Sequence, residues 1–174
     1  MLERLPPPEQ LAKMVSSVTQ TMLGITFTPA GDSVTASLGW RSAVLPIPGA
    51  TPITVGLSSN QSGCERLSSA MFSVSEAEVD NNMMDDSLCE LVNMTAGLVK
   101  SALSLDQALG LPKIMGSVET IKTINGGQVR AVVLQAKSTG LILWVCEGLI
   151  QICCFPGHAH ILPKCHSFGN YGCG

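Results

Sequence analysis

Residues 86–103 carry the pattern that decides the fold, and they read Asp86-Ser-Leu-Cys-Glu90-Leu-Val-Asn93-Met-Thr-Ala-Gly97-Leu-Val-Lys100-Ser-Ala-Leu103. At about 100° per residue, one stripe of a helix over this segment is apolar and is expected to face the core. That stripe consists of Leu88, Leu91, Val92, Thr95, Val99 and Ala102, with Leu98 and Leu103 at its borders. The opposite side collects a narrow polar row made of Asp86, Glu90, Asn93, Gly97 and Lys100.

Two residues of the polar row are unusual for a solvent-exposed helix face. Asn93 is a poor mid-helix residue because its side chain competes for backbone hydrogen bonds, and Gly97 costs about 1 kcal/mol relative to alanine. A polar face by itself is typical of any surface helix. Because both residues lower the stability of the helix, we expect its exposed face to be a contact surface for another molecule.

Further helices are predicted on the amino-terminal side of this segment. A first long helix is expected to begin after Pro6-Pro7-Pro8 and to end at Gly24. Its buried face is predicted to hold Leu11, Met14, Val15, Val18 and Met22. A short helix is expected to carry Cys64, Leu67 and Met71 inward, and Asp85 and Asp86 are then predicted in the first turn of the main helix.

Alternating apolar residues and turn signals predict the strands. These are Ile25–Phe27, Val34–Trp40, Ile53–Leu57, Gly116–Ile124, Val129–Ala136 and Leu141–Cys146, with turns at Pro46 to Gly49, Asn125-Gly126-Gly127 and Lys137–Gly140. The expected fold is α+β, with two long helices and a short helix packed on an antiparallel β-sheet. Met22-Leu23-Gly24-Ile25 and Ala108-Leu109-Gly110-Leu111 follow the two long helices and indicate a weak internal duplication.

Composition limits the classes of function. The 174 residues fit one compact domain or one domain and a tail, and 13% charged residues is well below the roughly 25% of an average soluble domain. A net charge of −3 without a basic run argues against nucleic acid as a partner. The longest apolar run, Leu141–Cys146, is too short to span a bilayer, and the start has no apolar stretch of signal-peptide length. A cytoplasmic protein is expected.

The cysteines and histidines divide the chain into a domain of residues 1–150 and an extension of residues 151–174. The extension holds Cys153, Cys154, Cys165, Cys173, His158, His160 and His166. Its Pro and Gly content predicts a poorly ordered tail, and zinc binding is the less favoured alternative because the spacing fits no known finger or ribbon. Reduced thiols are expected throughout, and Cys89 and Cys146 are interpreted as structural rather than nucleophilic.

The polar row carries a resemblance to a known family. Asp86-Ser-Leu-Cys-Glu90-Leu-Val-Asn93 is similar to the D/S-x3-E-x2-N signature of the CheC/CheX/FliY chemotaxis phosphatases, and the continuation to Gly97 and Lys100 is most similar to CheX. The order of elements extends the resemblance over roughly residues 8–148. Glu9-Gln10-Leu11-Ala12 stands where CheC-type members carry a second copy of the motif. The resemblance therefore implies a single site.

The resemblance implies hydrolysis of the aspartyl phosphate on a CheY-like receiver domain. Glu90 would pair with the lysine of the receiver, and Asn93 would orient the attacking water, while Asp86, Gly97 and Lys100 would contact the partner. Mg²⁺ is expected in the receiver, with no cofactor held by this chain. A homodimer is expected, with the Val129–Cys146 hairpin as a candidate edge. The alternative is a non-catalytic CheX-like binding module in chemotaxis or flagellar signalling.

Overall fold

The chain forms four helices and eight strands over the part that the structure, a computed structural model, describes, namely residues 4–31, 36–126, 129–152 and 159–161. The helices are α1 (Pro8–Leu23), α2 (Gln61–Phe72), α3 (Asn81–Ala102) and α4 (Ser117–Asn125). The strands are β1 (Thr28–Pro29), β2 (Arg41–Ile47), β3 (Ile53–Ser59), β4 (Lys113–Gly116), β5 (Val129–Ala136), β6 (Thr139–Glu147), β7 (Ile150–Ile152) and β8 (Ala159–Ile161). The predicted α+β class is confirmed, and α4 is an additional helix.

One antiparallel sheet organises the fold. Its strand order is β1-β5-β6-β3-β2-β4, and β7 pairs with β8 in a separate two-stranded ribbon. The predicted hairpin of β5 and β6 is confirmed. All seven residues of β3 are buried, whereas the alternation of Ile53, Val55 and Leu57 predicted a half-buried strand. The difference arises because both faces of this central strand are covered.

The main core lies between one face of the sheet and the helices α1, α2 and α3. Its fully buried side chains include Leu11, Leu45, Leu57, Leu67, Leu88, Leu91, Leu134 and Leu141. Burying each such side chain contributes roughly 1.5–3 kcal/mol to folding. This packing holds the apolar stripe of α3 against β2 and β3 and directs the opposite side of α3 to solvent.

The first helix follows its sequence signals. α1 begins at Pro8, where a missing N–H costs nothing in the first turn, and ends before Gly24, whose φ of 67° is the left-handed conformation that favours glycine. Leu11, Val15 and Val18 are buried as predicted. The predicted strand Ile25–Phe27 is wrong, because only β1 pairs in this region, opposite the end of β5.

A 3-10 turn replaces the strand predicted at Val34–Trp40. Ala36–Gly39 form this turn, β2 starts only at Arg41, and Val34 lies outside the described residues. The alternation is overridden by tertiary packing, since Leu38 is buried tightly against Gly140 of the distant β6. Pro46, predicted in a turn, lies within β2, where the neighbouring β4 pairs only as far as Val44 and no N–H is needed from the proline.

A helix also replaces most of the strand predicted at Gly116–Ile124. β4 ends at Gly116, and α4 then runs over residues that alternate as a strand would. The hydroxyls of Thr120 and Thr123 each donate to the carbonyl four residues earlier, both at 2.8 Å. Ile124 packs on the second face of the sheet. These contacts stabilise a helix despite the β-branched composition.

Buried hydroxyls connect α4 to the centre of the sheet. Trp144 Nε1 donates to Ser58 Oγ at 2.9 Å, the Ser58 and Ser42 hydroxyls are hydrogen-bonded, and Ser42 Oγ lies 2.8 Å from Thr120 Oγ1. All four side chains are buried. Because buried polar groups are expensive when unpaired, this chain of hydrogen bonds favours one packing of α4 on the sheet.

The predicted boundary at residue 150 stays a prediction, as does the internal duplication. β7 and β8 form their ribbon at this point, and the Ile150 N–H donates to Thr54 Oγ1 at 3.3 Å. The cysteines from Cys153 onward, with His158 and His166, lie outside the described residues. In the part of the chain that is described, no helix is long and apolar enough to cross a membrane.

Two buried thiols predict a loss of stability at alkaline pH. Burial raises the pKa of Cys64 from 9.0 to about 12 and that of Cys146 to about 11. Above pH 9 the unfolded chain releases these protons while the folded chain keeps them, so stability present below pH 9 is lost as pH rises toward the folded values. Each thiol contributes a slope of about −1.4 kcal/mol per pH unit in this window.

Urea unfolding of the wild type and Cys64→Ala between pH 8 and 10.5 measures this effect. We expect the free energy of unfolding of the wild type to fall more steeply above pH 9 than that of Cys64→Ala, because the variant keeps only the contribution of Cys146 and groups common to both. Parallel curves for the two proteins would contradict the prediction.

Candidate functional site

The helix that carries the polar row starts earlier than predicted. Asp80 is the N-cap of α3, and its side chain accepts a hydrogen bond from the Met83 N–H at 2.8 Å. This cap satisfies a donor that would otherwise be orphaned at the helix start. Asp85 and Asp86, predicted in the first turn, therefore lie in the second.

The two faces of α3 are confirmed. Leu88, Leu91, Val92, Thr95 and Val99 are buried. Ala102, predicted in the buried stripe, is exposed because it is the last residue of the helix and lies beyond the final buried turn at Val99. Leu98, at the border of the stripe, is 39% exposed.

The polar row occupies the opposite face. Asp86, Glu90 and Asn93 are exposed, and Gly97 and Lys100 are partly exposed. At 1.5 Å per residue the row is about 21 Å long. Asp86 and Glu90 lie at the amino-terminal end of this row and Asn93 lies in its middle. Lys100 lies at the carboxyl end, where the helix dipole stabilises a positive charge.

Glu90 and Asn93 are unengaged within the described part of the chain. No hydrogen bond or ion pair from residues 4–31, 36–126 or 129–150 involves either side chain. Residues three apart on a helix are neighbours, about 5–6 Å between Cβ atoms. The pair thus presents a carboxylate and an amide side by side, both free to meet groups of another molecule.

Gly97 is not required by the packing of this chain. Among the described residues, a Cβ added there would meet no atom within 4 Å outside the backbone of the helix itself, and the backbone of Gly97 is ordinary helix. The Ser101 hydroxyl, one turn further, only donates back to the Gly97 carbonyl at 2.9 Å. Within the part of the chain that the structure describes, no contact therefore accounts for a glycine at this position.

Arg41 ties the sheet to the start of α3. Its guanidinium donates to Asp85 Oδ1 at 2.9 Å, to the Asn81 carbonyl at 3.3 Å and to Asn81 Oδ1 at 3.1 Å, and lies 4.6 Å from the centroid of the Trp40 ring. Sequence reasoning missed this arrangement and treated Asp85 only as a helix-start acid. The pairing spans 44 positions, and no local pattern signals it.

The charges around α3 are strongly segregated along the sequence. Residues 67–99 contain no lysine or arginine, and their acids are Glu76, Glu78, Asp80, Asp85, Asp86 and Glu90. Arg66 pairs with Glu76 at 3.4 Å and Arg41 with Asp85, while Asp80 and Glu78 cap helical turns. Asp86 and Glu90 are left as the open carboxylates of the polar row.

Cysteine chemistry has no support in the described residues. Cys64, Cys89 and Cys146 are free thiols. Burial, followed by the nearby Asp85 and Asp86, raises the pKa of Cys89, which opposes formation of the nucleophilic thiolate. In the same residues, no group of three or more His, Cys, Asp or Glu side chains could hold a metal ion.

Comparison with known proteins identifies the family. A profile described as chemotaxis phosphatase CheX matches residues 41–134, which is more than half of the chain and includes the whole polar row. The protein therefore belongs to the CheX family. No curated protein sequence matches the chain.

Solved structures show the same fold. A CheX from Desulfovibrio desulfuricans is 18% identical, with 80% of this chain and 97% of that chain covered and a TM-score of 0.61. CheX from Vibrio vulnificus is 14% identical, with coverages of 80% and 97% and a TM-score of 0.63. A chain of the CheX-CheY-BeF3-Mg²⁺ complex from Borrelia burgdorferi is 16% identical, with coverages of 82% and 98% and a TM-score of 0.63.

Proposed function

We propose that this protein is a phosphatase that hydrolyses the aspartyl phosphate of a CheY-like receiver domain. One observation carries the proposal: Glu90 and Asn93 lie one turn apart on the exposed face of α3, without partners among the described residues, in a chain of the CheX family. The similar structure from Borrelia burgdorferi contains CheX together with CheY, which supports a partner of that class.

The reaction suits a site made of so few groups. A water oxygen attacks phosphorus, the bond from phosphorus to the aspartyl oxygen breaks, orthophosphate leaves as H₂PO₄⁻ with both protons of the water, and the carboxylate is restored. Phosphoryl transfer depends mainly on positioning and charge neutralisation. The family resemblance assigns the Mg²⁺ and the lysine to the receiver, which is the substrate, so this chain needs only to dock and to position water.

Asn93 is suited to orient that water. Its amide offers a donor and an acceptor, and it adds no negative charge beside the phosphoryl group. Glu90, one turn earlier, offers a charge-assisted hydrogen bond to the lysine of the receiver, which would set the docking register. Asp86 extends this acidic edge, and Lys100 would contact the partner at the other end of the row.

Gly97 gives the partner room to approach, and its replacement by alanine separates docking from stability. We expect Gly97→Ala to raise the free energy of unfolding by about 0.5–1 kcal/mol, because alanine favours helix and enters open space. We expect the same change to raise the KM for the phosphorylated receiver, because the methyl group would stand in the interface. Urea unfolding and steady-state kinetics measure the two effects, with Ser101→Ala on the same helix as the control. Unchanged kinetics in a stabilised variant would remove Gly97 from the interface.

Phosphate release distinguishes the enzyme from a non-catalytic binding module. A panel of phosphorylated receivers is incubated with and without the wild type, and binding of each receiver is measured in parallel. Faster release with a bound receiver supports the phosphatase. Binding with the same decay rate in every case would support the module, which the family membership and the exposed row also permit.

Self-association is a further part of the proposal. The hairpin edge is less open than predicted, because β6 pairs with β3 and β1 covers β5 at Leu134 and Gln135. Within the described residues, the rest of β5 and all of β4 have no strand on their outer side. Sedimentation equilibrium tests the dimer, and a monomer mass at assay concentrations would reject it.

A further inference from the structure

Three carboxylates lie close together on α3, and they do not point in the same direction. At about 100° per residue, Asp86 and Glu90 lie within about 60° of Asn93 around the helix. Asp85 lies about 80° from Asn93 on the other side. A partner whose cation met Asp85 instead of Glu90 would be turned by about 140° around α3 and would not present its phosphoryl group to Asn93.

In this structure Asp85 is already paired with Arg41. The guanidinium contacts the Asp85 carboxylate at 2.9 Å and is fixed from two further directions, by both oxygens of Asn81 and by the Trp40 ring. The Asp85 side chain is nevertheless 35% exposed, so it would be accessible to a partner if Arg41 were absent. Asp86 and Glu90 have no such cation among the described residues.

We propose that Arg41 is a positioning residue that masks Asp85, so that the partner's cation meets only the carboxylates aligned with Asn93 and the receiver docks in one register. This inference rests on the proposed function. It assigns Arg41, at the start of β2 and outside the polar row, a role in specificity in addition to its contact between sheet and helix.

If Arg41 masks Asp85, its removal has a kinetic effect that the loss of a purely structural link between β2 and α3 would not have. In Arg41→Gln the uncovered Asp85 adds a second, unproductive way to bind the receiver. Unproductive binding lowers kcat and KM by the same factor and leaves kcat/KM unchanged. We expect a factor of about two, which is reached when the uncovered Asp85 binds the partner's cation about as tightly as Glu90 does, since both would be exposed ion pairs of similar strength. Loss of a structural tether alone would lower kcat/KM or the thermal stability without a matching fall in KM.

The double variant Arg41→Gln/Asp85→Asn decides between the two roles. Like Arg41→Gln, the double variant lacks the ion pair between β2 and α3. Unlike Arg41→Gln, it has no free carboxylate at position 85 that could bind the receiver. Masking therefore predicts that kcat and KM both return to wild-type values in the double variant. Arg41→Lys retains a positive charge beside Asp85 and is expected to keep wild-type kinetics as well.

The experiment measures phosphate release from a phosphorylated receiver for the wild type and these three variants, with thermal melts to compare their folding. The paired fall in Arg41→Gln and its recovery in the double variant support masking. Unchanged kinetics in Arg41→Gln, or a double variant as impaired as the single one, overturns masking and leaves the proposed function intact. A wild type that accelerates release from no receiver overturns both.

Discussion

Replacing Asn93 by alanine is expected to lower the kcat for phosphate release by about 100-fold, because a water displaced by as little as about 1 Å from the attack geometry loses that much rate. The side chain is exposed and has no partner among the described residues, so its removal leaves no buried group unpaired. Alanine is also the better helix former. The loss is therefore expected without loss of stability or of receiver binding.

Asn93→Asp sharpens the same prediction. Aspartate keeps the size of the side chain, but it replaces the donor of the amide with negative charge beside a phosphoryl group. We expect activity as low as in Asn93→Ala. Single-turnover phosphate release measures both variants, with Ser101→Ala as an exposed control on the same helix. Wild-type rates in Asn93→Ala would show that the amide does not orient the water.

Replacing Gly56 by alanine is expected to destabilise the fold strongly, because the added methyl group has no space. Gly56 lies in β3 directly opposite Trp144 in β6, and an added Cβ would lie only 2.0 Å from Cε2 and Cζ2 of the indole. The indole cannot move aside cheaply, because it is fully buried and donates to Ser58 Oγ. We expect a loss of about 3 kcal/mol or more, at the upper end of overpacking effects.

Urea unfolding measures this loss, and Gly97→Ala is the matched control. The two variants carry the same chemical change, but Gly56 is enclosed by an aromatic ring and Gly97 faces open space. We expect their free energies of unfolding to shift in opposite directions. A Gly56→Ala protein as stable as the wild type would mean that the contact of β3 with Trp144 is not as close as described.

The parts of the fold that could be predicted from sequence are those specified by nearby residues. The Pro start and Gly stop delimit α1, and the hairpin turn joins strands that are adjacent in the chain. The two faces of α3 follow from helical periodicity alone, which is why Asp86, Glu90 and Asn93 are exposed on one side as predicted.

The parts that could not be predicted depend on distant contacts. Period-two patterns at residues 34–40 and 116–124 favoured strands, but Leu38 packs on Gly140 and the hydroxyl of Thr120 bonds both within α4 and to Ser42. The same limit applies to the site. The pairing of Arg41 with Asp85 crosses 44 positions, so the local pattern did not show that Asp85 is paired while Asp86 and Glu90 have no ion-pair partner in the described part of the chain.

The rate of phosphate release from a phosphorylated receiver, compared among the wild type, Glu90→Ala and Asn93→Ala, is the most direct measurement of the proposed activity. We expect the wild type to accelerate release and both variants to return it to the rate of the receiver alone, with the three proteins unfolding at similar temperatures. A receiver that binds the wild type yet loses phosphate at the same rate with and without it, across the panel, would contradict the phosphatase.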